Sequence, residues 1–436
     1  MSATASITSH PPLNRLLAAR SADLRGDRIH LILACLYCFS LPVASFPMEV
    51  FFVLLALWTL IRLPHTRRSH LDYLRQPLII LCILWAVWQS IALLWSPDVP
   101  QGLDELRAFR VLLVPFFLWP VIDRAPCLIA SLLLGVLVQN AVQYLQFKGV
   151  IAEGHDLHGR LRGLLHPIQT GAFCAAALCW HVSAIMRAQL KVSILSILGF
   201  LAAAFGLIYS GSRGPWLCAA IGVPLTFLII FFRYRHLRVS AAILAAICIL
   251  GAGASWPRIG PMITERYHNI VEDYNKAHDT GDLTSDVGTR IRLWSWALEI
   301  SSHHPIIGVG AGAFEHACRE LPNAQQLVSE HPKKEKIIFR GHSHSTYLHT
   351  LATLGIVGEL ILLSVVILAC RATLRKSFAH PWADALFPAL LTWLIGAQFD
   401  CYHLNGHYFG LFAFIIALAS AHVLVPKSAP LILAPS

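Results

Sequence analysis

Long apolar runs, separated by short polar or basic breaks, recur along almost the whole chain. A helix needs about 20 apolar residues to cross the hydrocarbon core of a bilayer. Read this way, the pattern predicts about twelve membrane helices, at 30–45, 47–63, 77–95, 109–122, 126–146, 168–186, 193–209, 214–232, 240–256, 346–369, 383–399 and 407–425. The runs at 30–45, 109–122 and 240–256 are short for a crossing. Trp95, Trp119 and Trp256 close apolar runs, as interfacial anchors do. The expected fold class is an all-α polytopic membrane protein. It divides into an N-terminal segment over 1–29, nine helices over 30–256, a large loop over 257–345, three helices over 346–425 and a tail over 426–436.

Lysine and arginine in the short breaks set the orientation. With the N-terminus in the cytoplasm, the inner loops hold Arg62, Arg67, Arg68 and Arg75, then Arg187 and Lys191, then Arg233, Arg235 and Arg238, then Arg371, Arg375 and Lys376. This is the positive-inside bias. An even number of crossings returns the C-terminus to the same side, and the 257–345 loop falls on the outer face. That loop is expected to be partly helical. The stretch TRIRLWSWALEIS places Ile291, Trp294, Ala297 and Leu298 at helical spacing, and the His303–Pro305 break with Gly308, Gly310 and Gly312 ends it.

Composition agrees with this layout. The 436 residues are 56% hydrophobic and only 13% charged, against about 25% charged in soluble domains. The formal net charge of +10 is partly a topology signal and does not demand an anionic polymer such as nucleic acid as partner. Seven of the eleven cysteines (Cys35, Cys38, Cys82, Cys174, Cys179, Cys218 and Cys248) lie inside apolar runs, and no CxxC pair occurs, so neither a disulfide framework nor a cysteine metal site is expected. The first 29 residues are polar and basic and lead into two successive apolar runs, which is not the pattern of a cleaved signal peptide.

Four groups of residues bear on chemistry. The turn SGSRGPW, Ser210 to Trp216, joins two predicted helices on the outer face. Gly211 and Gly214 permit a tight turn, Pro215 suits a first helical turn, and Arg213 stands at the helix N-terminus, where phosphate binds readily. The same turn could simply hold an arginine at the lipid headgroups, but positive-inside bias depletes arginine on this face. In TRIRLW, Arg290 and Arg292 point about 200° apart on a helix, so at most one faces a shared site. Arg290 is the phosphate-binding candidate and Arg292 a surface arginine. The third group is RGHSHSTYLH, where His342 and His344 sit at the entry of a membrane helix. Imidazoles there suit proton transfer. An HxH pair can also bind metal, but no third ligand stands at fixed spacing and no DxD-like pair suits Mg²⁺, so no metal is expected. His349 reads as a partly buried helix residue. The fourth group comprises outer-loop cations, including Arg107, Arg110, Lys148, Arg160, Arg162, Lys333, Lys334, Lys336 and Arg340. Some can guide a polyanion and others meet membrane lipids. Arg110, heading a predicted helix, is the best placed for a buried phosphate. Asp400, His403 and His407 in the last outer loop can orient other groups.

The order SGSRG, then TRIRLW followed by HPIIGVGAGAF over 304–314, then HSHSTYLHTLATLGIVG over 342–358 resembles the O-antigen ligase (WaaL) family and its wider ligase/polymerase superfamily. His344-Ser345, nine residues, Gly355 and Gly358 fit the family's histidine-to-GxxG pattern, while Glu359 departs from it. The resemblance implies a GT-C-like glycosyltransferase of the bacterial inner membrane with a periplasmic active site. The donor would be O-antigen on undecaprenyl diphosphate and the acceptor a sugar hydroxyl of lipid A–core oligosaccharide, with inversion and with neither metal nor ATP. By this resemblance His344 is the general base, with His342 able to exchange roles with it. Arg213 and Arg290 hold the diphosphate. Ser212, Trp294, Arg110, Arg340 and His342 complete the substrate-binding set. The alternatives are an O-antigen polymerase or a protein O-oligosaccharyltransferase of the same superfamily. A transporter would carry charges within its spans, which are sparse in these runs.

Overall fold

The computed structural model describes residues 11–151, 160–279, 285–374 and 381–424. The tail at 426–436, the first ten residues, and Arg375 and Lys376 of the expected inner loops lie outside the described residues. The described chain is helical without strands, and it is an all-α polytopic membrane protein.

The helices in chain order are α1 (Pro11–Ala22), α2 (Leu24–Ser40), α3 (Ser45–Leu74), α4 (Pro77–Ile91), α5 (Val99–Phe109), α6 (Val114–Leu118), α7 (Ala125–Phe147), α8 (Pro167–Arg187), α9 (Leu190–Tyr209), α10 (Arg213–Arg233), α11 (Arg238–Asp279), α12 (Asp286–His303), α13 (Phe314–Glu320), α14 (Pro322–Glu330), α15 (Glu335–Ile338), α16 (Thr346–Leu374), α17 (Leu386–Gly396) and α18 (Gly406–Leu424). Among the described residues, eight helical stretches are long and apolar enough to cross a membrane. The pattern expects about twelve, and the difference has local causes. The runs expected at 109–122 and 126–146 fall in one helical stretch, Val99–Phe147, in which Pro115 and Pro120 break the first run into short pieces while the second forms the 23-residue α7, opened by Pro126. The run at 30–45 becomes the seventeen-residue α2, which starts early at Leu24 among charged residues and stops at Ser40, and the run at 383–399 forms only the eleven-residue α17. The run at 407–425 gives an apolar helix too short for the same criterion, Gly406–Ala421.

The large loop also begins differently. The helix expected to stop at 256 continues through Pro257 and Pro261 to Asp279, so α11 stands well beyond its apolar half. Together α12 to α15 form a small apolar core of their own around Leu293, Trp296, Phe314 and Phe339, which closes on Ala352 of α16. Arg292, expected at the surface, is buried in that core instead. It donates to the Ile338 carbonyl at 3.0 Å and lies 5.3 Å from the Trp296 ring centre. The guanidinium thus finds a carbonyl and an aromatic face where the helix turns it away from the cavity described below.

Nearly all of α8 is buried, and it packs against α9, α10 and α17. Its run of alanine, cysteine and glycine lets these neighbours approach closely. At the end remote from the large loop, the buried Asp384 carboxylate pairs with Arg187 of α8 at 2.6 Å and with Arg233 of α10. That pairing fixes the far ends of both helices, so their near ends keep register at the loop end.

The motifs HPIIGVG and GxxG meet in one device. Gly355 takes φ 67° and ψ −171° inside α16, which opens the helix. Residues 305–310 cross the opening and satisfy its backbone. Val309 N donates to Ala352 O at 3.0 Å, Gly310 N to Thr353 O at 2.9 Å, and Ile356 N to Pro305 O at 2.9 Å. Irregular backbone at membrane depth survives only when protein satisfies it in this way. A Cβ on Gly355 would lie 2.2 Å from Ile306 O. Gly355→Ala is therefore expected to cost about 3 kcal/mol or more from strain and collision. The measurement is the thermal unfolding midpoint of the purified protein in detergent; an unchanged midpoint would show that the crossing does not need glycine.

Candidate active site

A cavity of about 430 Å³ opens at the loop end of the bundle. The start of α10, the extension of α11, the start of α12 and the segment after α17 wall it. Four guanidinium groups, those of Arg160, Arg213, Arg266 and Arg290, line it against the two carboxylates of Asp286 and Asp400. The balance favours a polyanion, since arginine forks match phosphate geometry.

Each cation has a local reason for its position. Gly211 (φ 57°) turns the chain out of α9, with its N–H on Ile208 O at 3.1 Å. Ser212 is the N-cap residue of α10, and its hydroxyl donates back to Ser210 O at 3.1 Å instead of capping the helix. Arg213 is then the first helical residue, beside the amides of the first turn, where the helix dipole favours an anion. On α12, Arg290 Nε approaches Phe399 O at 3.5 Å and its Nη1 donates to Asp286 O at 3.2 Å. These contacts lay its side chain along the cavity wall. Trp294, one turn further, lines the same cavity, and its indole Nε1 is buried without an acceptor among the described residues.

The histidines gather on the adjoining wall. Thr346 N donates to Ala397 O at 2.8 Å and Tyr402 N to Thr346 Oγ1 at 2.9 Å, so the 341–346 turn is stapled to the segment after α17. The staple brings His344 Nδ1 to 3.3 Å and His342 Nε2 to 3.6 Å from Asp400 Oδ1, which also accepts from Cys401 N at 2.9 Å. His344 has φ 54°, the one non-glycine residue with positive φ among the described residues. Such a conformation costs on the order of 1–3 kcal/mol and persists where surrounding structure imposes it, often at functional sites.

Burial pulls the His344 imidazole below its ordinary value of 6.5, with the Asp400 hydrogen bond opposing and the electrostatic influence of His342 and Arg290 assisting. Burial alone raises the Asp400 carboxyl, but the hydrogen bonds and charges of the two histidines outweigh it and hold Asp400 below the usual carboxylate range. The consistent state at neutral pH is an ionised Asp400 accepting Nδ1–H from a neutral His344. That tautomer leaves the Nε2 lone pair to take a proton.

Asp400 is also the third ligand that spacing along the chain lacked. The ligating atoms of His342, His344 and Asp400 lie within 4.8 Å of one another, a group able to hold a divalent ion.

Of the residues singled out in the sequence, Ser212, Arg213, Arg290 and Trp294 share the cavity, and His342 and His344 meet at Asp400 on its wall. His344 does not itself line the cavity; its partner does. Arg110 is not brought there. The short turn after α5 sends it to α3, where it pairs with Glu49 over the Phe52 ring, 42% exposed instead of buried. Arg340 is exposed and does not line the cavity. His349 is more deeply buried than expected, with Nε2 3.2 Å from the buried Glu105. Arg266 and Asp286 were not singled out. Arg266 and Ile270, one turn apart on α11, both face the cavity, so helical periodicity continued past Pro257 would have exposed them.

The fold and the site define a polytopic membrane protein with an arginine-lined cavity at one end of its helices. Residues 198–363 match the O-antigen ligase family model. The match takes in the Gly211 turn, α12, the 305–310 crossing and the histidine turn. An uncharacterised protein of Haemophilus influenzae is 25% identical over 186 residues, covering 42% of this chain and 44% of that protein. The similarity thus spans less than half the length of that relative.

Proposed function

We propose that the chain is an O-antigen ligase, transferring O-antigen polysaccharide from undecaprenyl diphosphate to a sugar hydroxyl of lipid A–core oligosaccharide. The observation that carries this reading is the convergence of Arg213 and Arg290 on one cavity lined also by Asp400, the carboxylate to which His344 is hydrogen-bonded behind the wall. The reaction needs those two functions. As the anomeric carbon–oxygen bond breaks, negative charge grows on the departing diphosphate, and fixed guanidinium groups meet it without reorganising. On the opposite side of that carbon, the acceptor hydroxyl attacks and its proton passes to His344 Nε2. Asp400 accepts the Nδ1 hydrogen bond and steadies the imidazolium that forms. Attack opposite the leaving group inverts the anomeric centre. The proton leaves His344 for solvent or for the released undecaprenyl diphosphate. The arginines carry the charge a metal would carry elsewhere, so the reaction proceeds without metal. The positive-inside pattern supports an inner-membrane location with this end facing the periplasm and both termini in the cytoplasm.

The test is transfer by the purified full-length protein, given undecaprenyl-diphosphate-linked O-antigen and rough lipopolysaccharide in EDTA. A lipopolysaccharide ladder supports the ligase. Elongation of the donor, or glycosylation of a protein, would move the chain to a polymerase or a protein O-oligosaccharyltransferase. No transfer to any acceptor would overturn the reading.

A further inference from the structure

The membrane helix α7 carries Gln139, Gln143 and Gln146 on one face, all buried. Three buried amides in a membrane helix are costly unless every one finds partners. Here most of their polar atoms are used on the backbone of one irregular segment; Gln139 Nε2 also reaches Thr170 Oγ1 at 2.6 Å, and Gln143 Oε1 has no partner among the described residues. Gln139 Nε2 donates to Arg162 O at 2.9 Å, and its Oε1 accepts from Leu164 N at 2.7 Å. Gln143 Nε2 donates to Leu161 O at 3.1 Å. Gln146 accepts from Gly163 N at 2.9 Å and donates to Gly163 O at 3.2 Å. Leu161 N in turn reaches Tyr209 O at 3.3 Å, at the end of α9. The segment 161–164 is thereby held from two sides.

What this segment delivers is Arg160. Its stem lies across Gly211, where a Cβ would meet Arg160 Cγ at 3.1 Å and Cδ at 3.4 Å, and its side chain lines the cavity beside Arg213. We infer that Arg160 is a further donor-binding cation, contacting the diphosphate of a lipid-linked sugar, and that the glutamine face of α7 is its positioning element. The inference rests on the functional reading above. Sealing a stretch of backbone would need no cation at its end and no fixed alignment with the Gly211 turn. Positioning requires both.

The experiment measures the donor KM, kcat and undecaprenyl diphosphate binding of the full-length protein in detergent. Arg160→Ala is expected to raise the donor KM and weaken undecaprenyl diphosphate binding roughly tenfold, the loss of one charge-assisted contact, with kcat changed far less. Arg160→Lys is expected to recover part of it. Gln143→Leu is expected to raise the donor KM severalfold on its own and to add nothing in the Arg160→Ala background, since a positioning residue acts only through what it positions. Should Gln143→Leu fail to fold, Gln146→Leu at the rim carries the same cycle. Unchanged binding in Arg160→Ala, or additive effects in the double variant, would overturn the inference while leaving the ligase reading intact. A wild-type protein that binds no undecaprenyl diphosphate would overturn the functional reading first and this one with it.

Discussion

Arg213→Ala and Arg290→Ala are each expected to lower kcat for transfer by about 10²–10³-fold, the usual cost of removing one preorganised group from a developing anion. Both proteins should remain folded, because neither guanidinium holds the bundle together. Arg213 stands on the first turn of α10 at the cavity edge, and the hydrogen bonds of Arg290 among the described residues go to the backbone of Phe399 and Asp286. The loss should fall on kcat more than on KM, since charge on the diphosphate is greatest when the glycosidic bond is breaking. Lysine should restore little at either position, as a point charge cannot bridge two phosphate oxygens. Arg292→Ala provides the contrast. Arg292 is buried against Trp296 and Ile338 O, so its loss should lower the unfolding midpoint instead. Steady-state kinetics beside a thermal melt separates the three. Full activity in both Arg213→Ala and Arg290→Ala would end the diphosphate assignment.

His344→Ala is expected to cost about 10²–10⁴-fold in kcat, the range for a general base. The pH dependence follows from the state of the imidazole. A base must be unprotonated, and burial lowers the His344 pKa below 6.5. Activity should therefore be level across neutral pH and fall only on acidification through that lowered value. Asp400 opposes the effect of burial, because its hydrogen bond and charge raise the His344 pKa. Asp400→Asn should thus move the acid limb to still lower pH and reduce kcat roughly 10²-fold, as the tautomer is no longer enforced. A pH–rate profile of wild type and Asp400→Asn reads both effects. Transfer that survives His344→Ala would discard this base, and an acid limb that moves upward in Asp400→Asn would discard the pairing.

The resemblance and the pattern along the chain were of unequal use. Hydropathy identified the helical membrane class because burial in lipid demands long apolar segments, which are visible as runs. It miscounted where helices are broken. The prolines between Val99 and Phe147 divide one stretch, and α17 is a half-length helix that packs against α8, α10 and α18 instead of extending. Helical periodicity separated Arg290 from Arg292 correctly. It misjudged the destination of Arg292, since a second small core beside α16 was needed to bury it. The stopping point of α11 was misread because proline usually ends a helix, yet the helix here passes two prolines and carries Arg266 to the cavity.

What the sequence determined by itself is local: apolar runs that become helices, a glycine turn that puts Arg213 at a helix start, an arginine spacing that sends one side chain each way, and two histidines where a loop enters a helix. The tertiary structure alone decided which of these meet. Asp400 lies 56 positions from His344 and reaches it only because the turn before α16 is hydrogen-bonded to the end of α17. Arg110 had the right residue type but was drawn to Glu49 and Phe52 on α3. Gly355 matched a motif, yet its role as an opening for residues 305–310 exists only once α16 is crossed. Periodicity reports the geometry of neighbours along the chain, whereas a site for a charged lipid is assembled from helix ends brought together by packing.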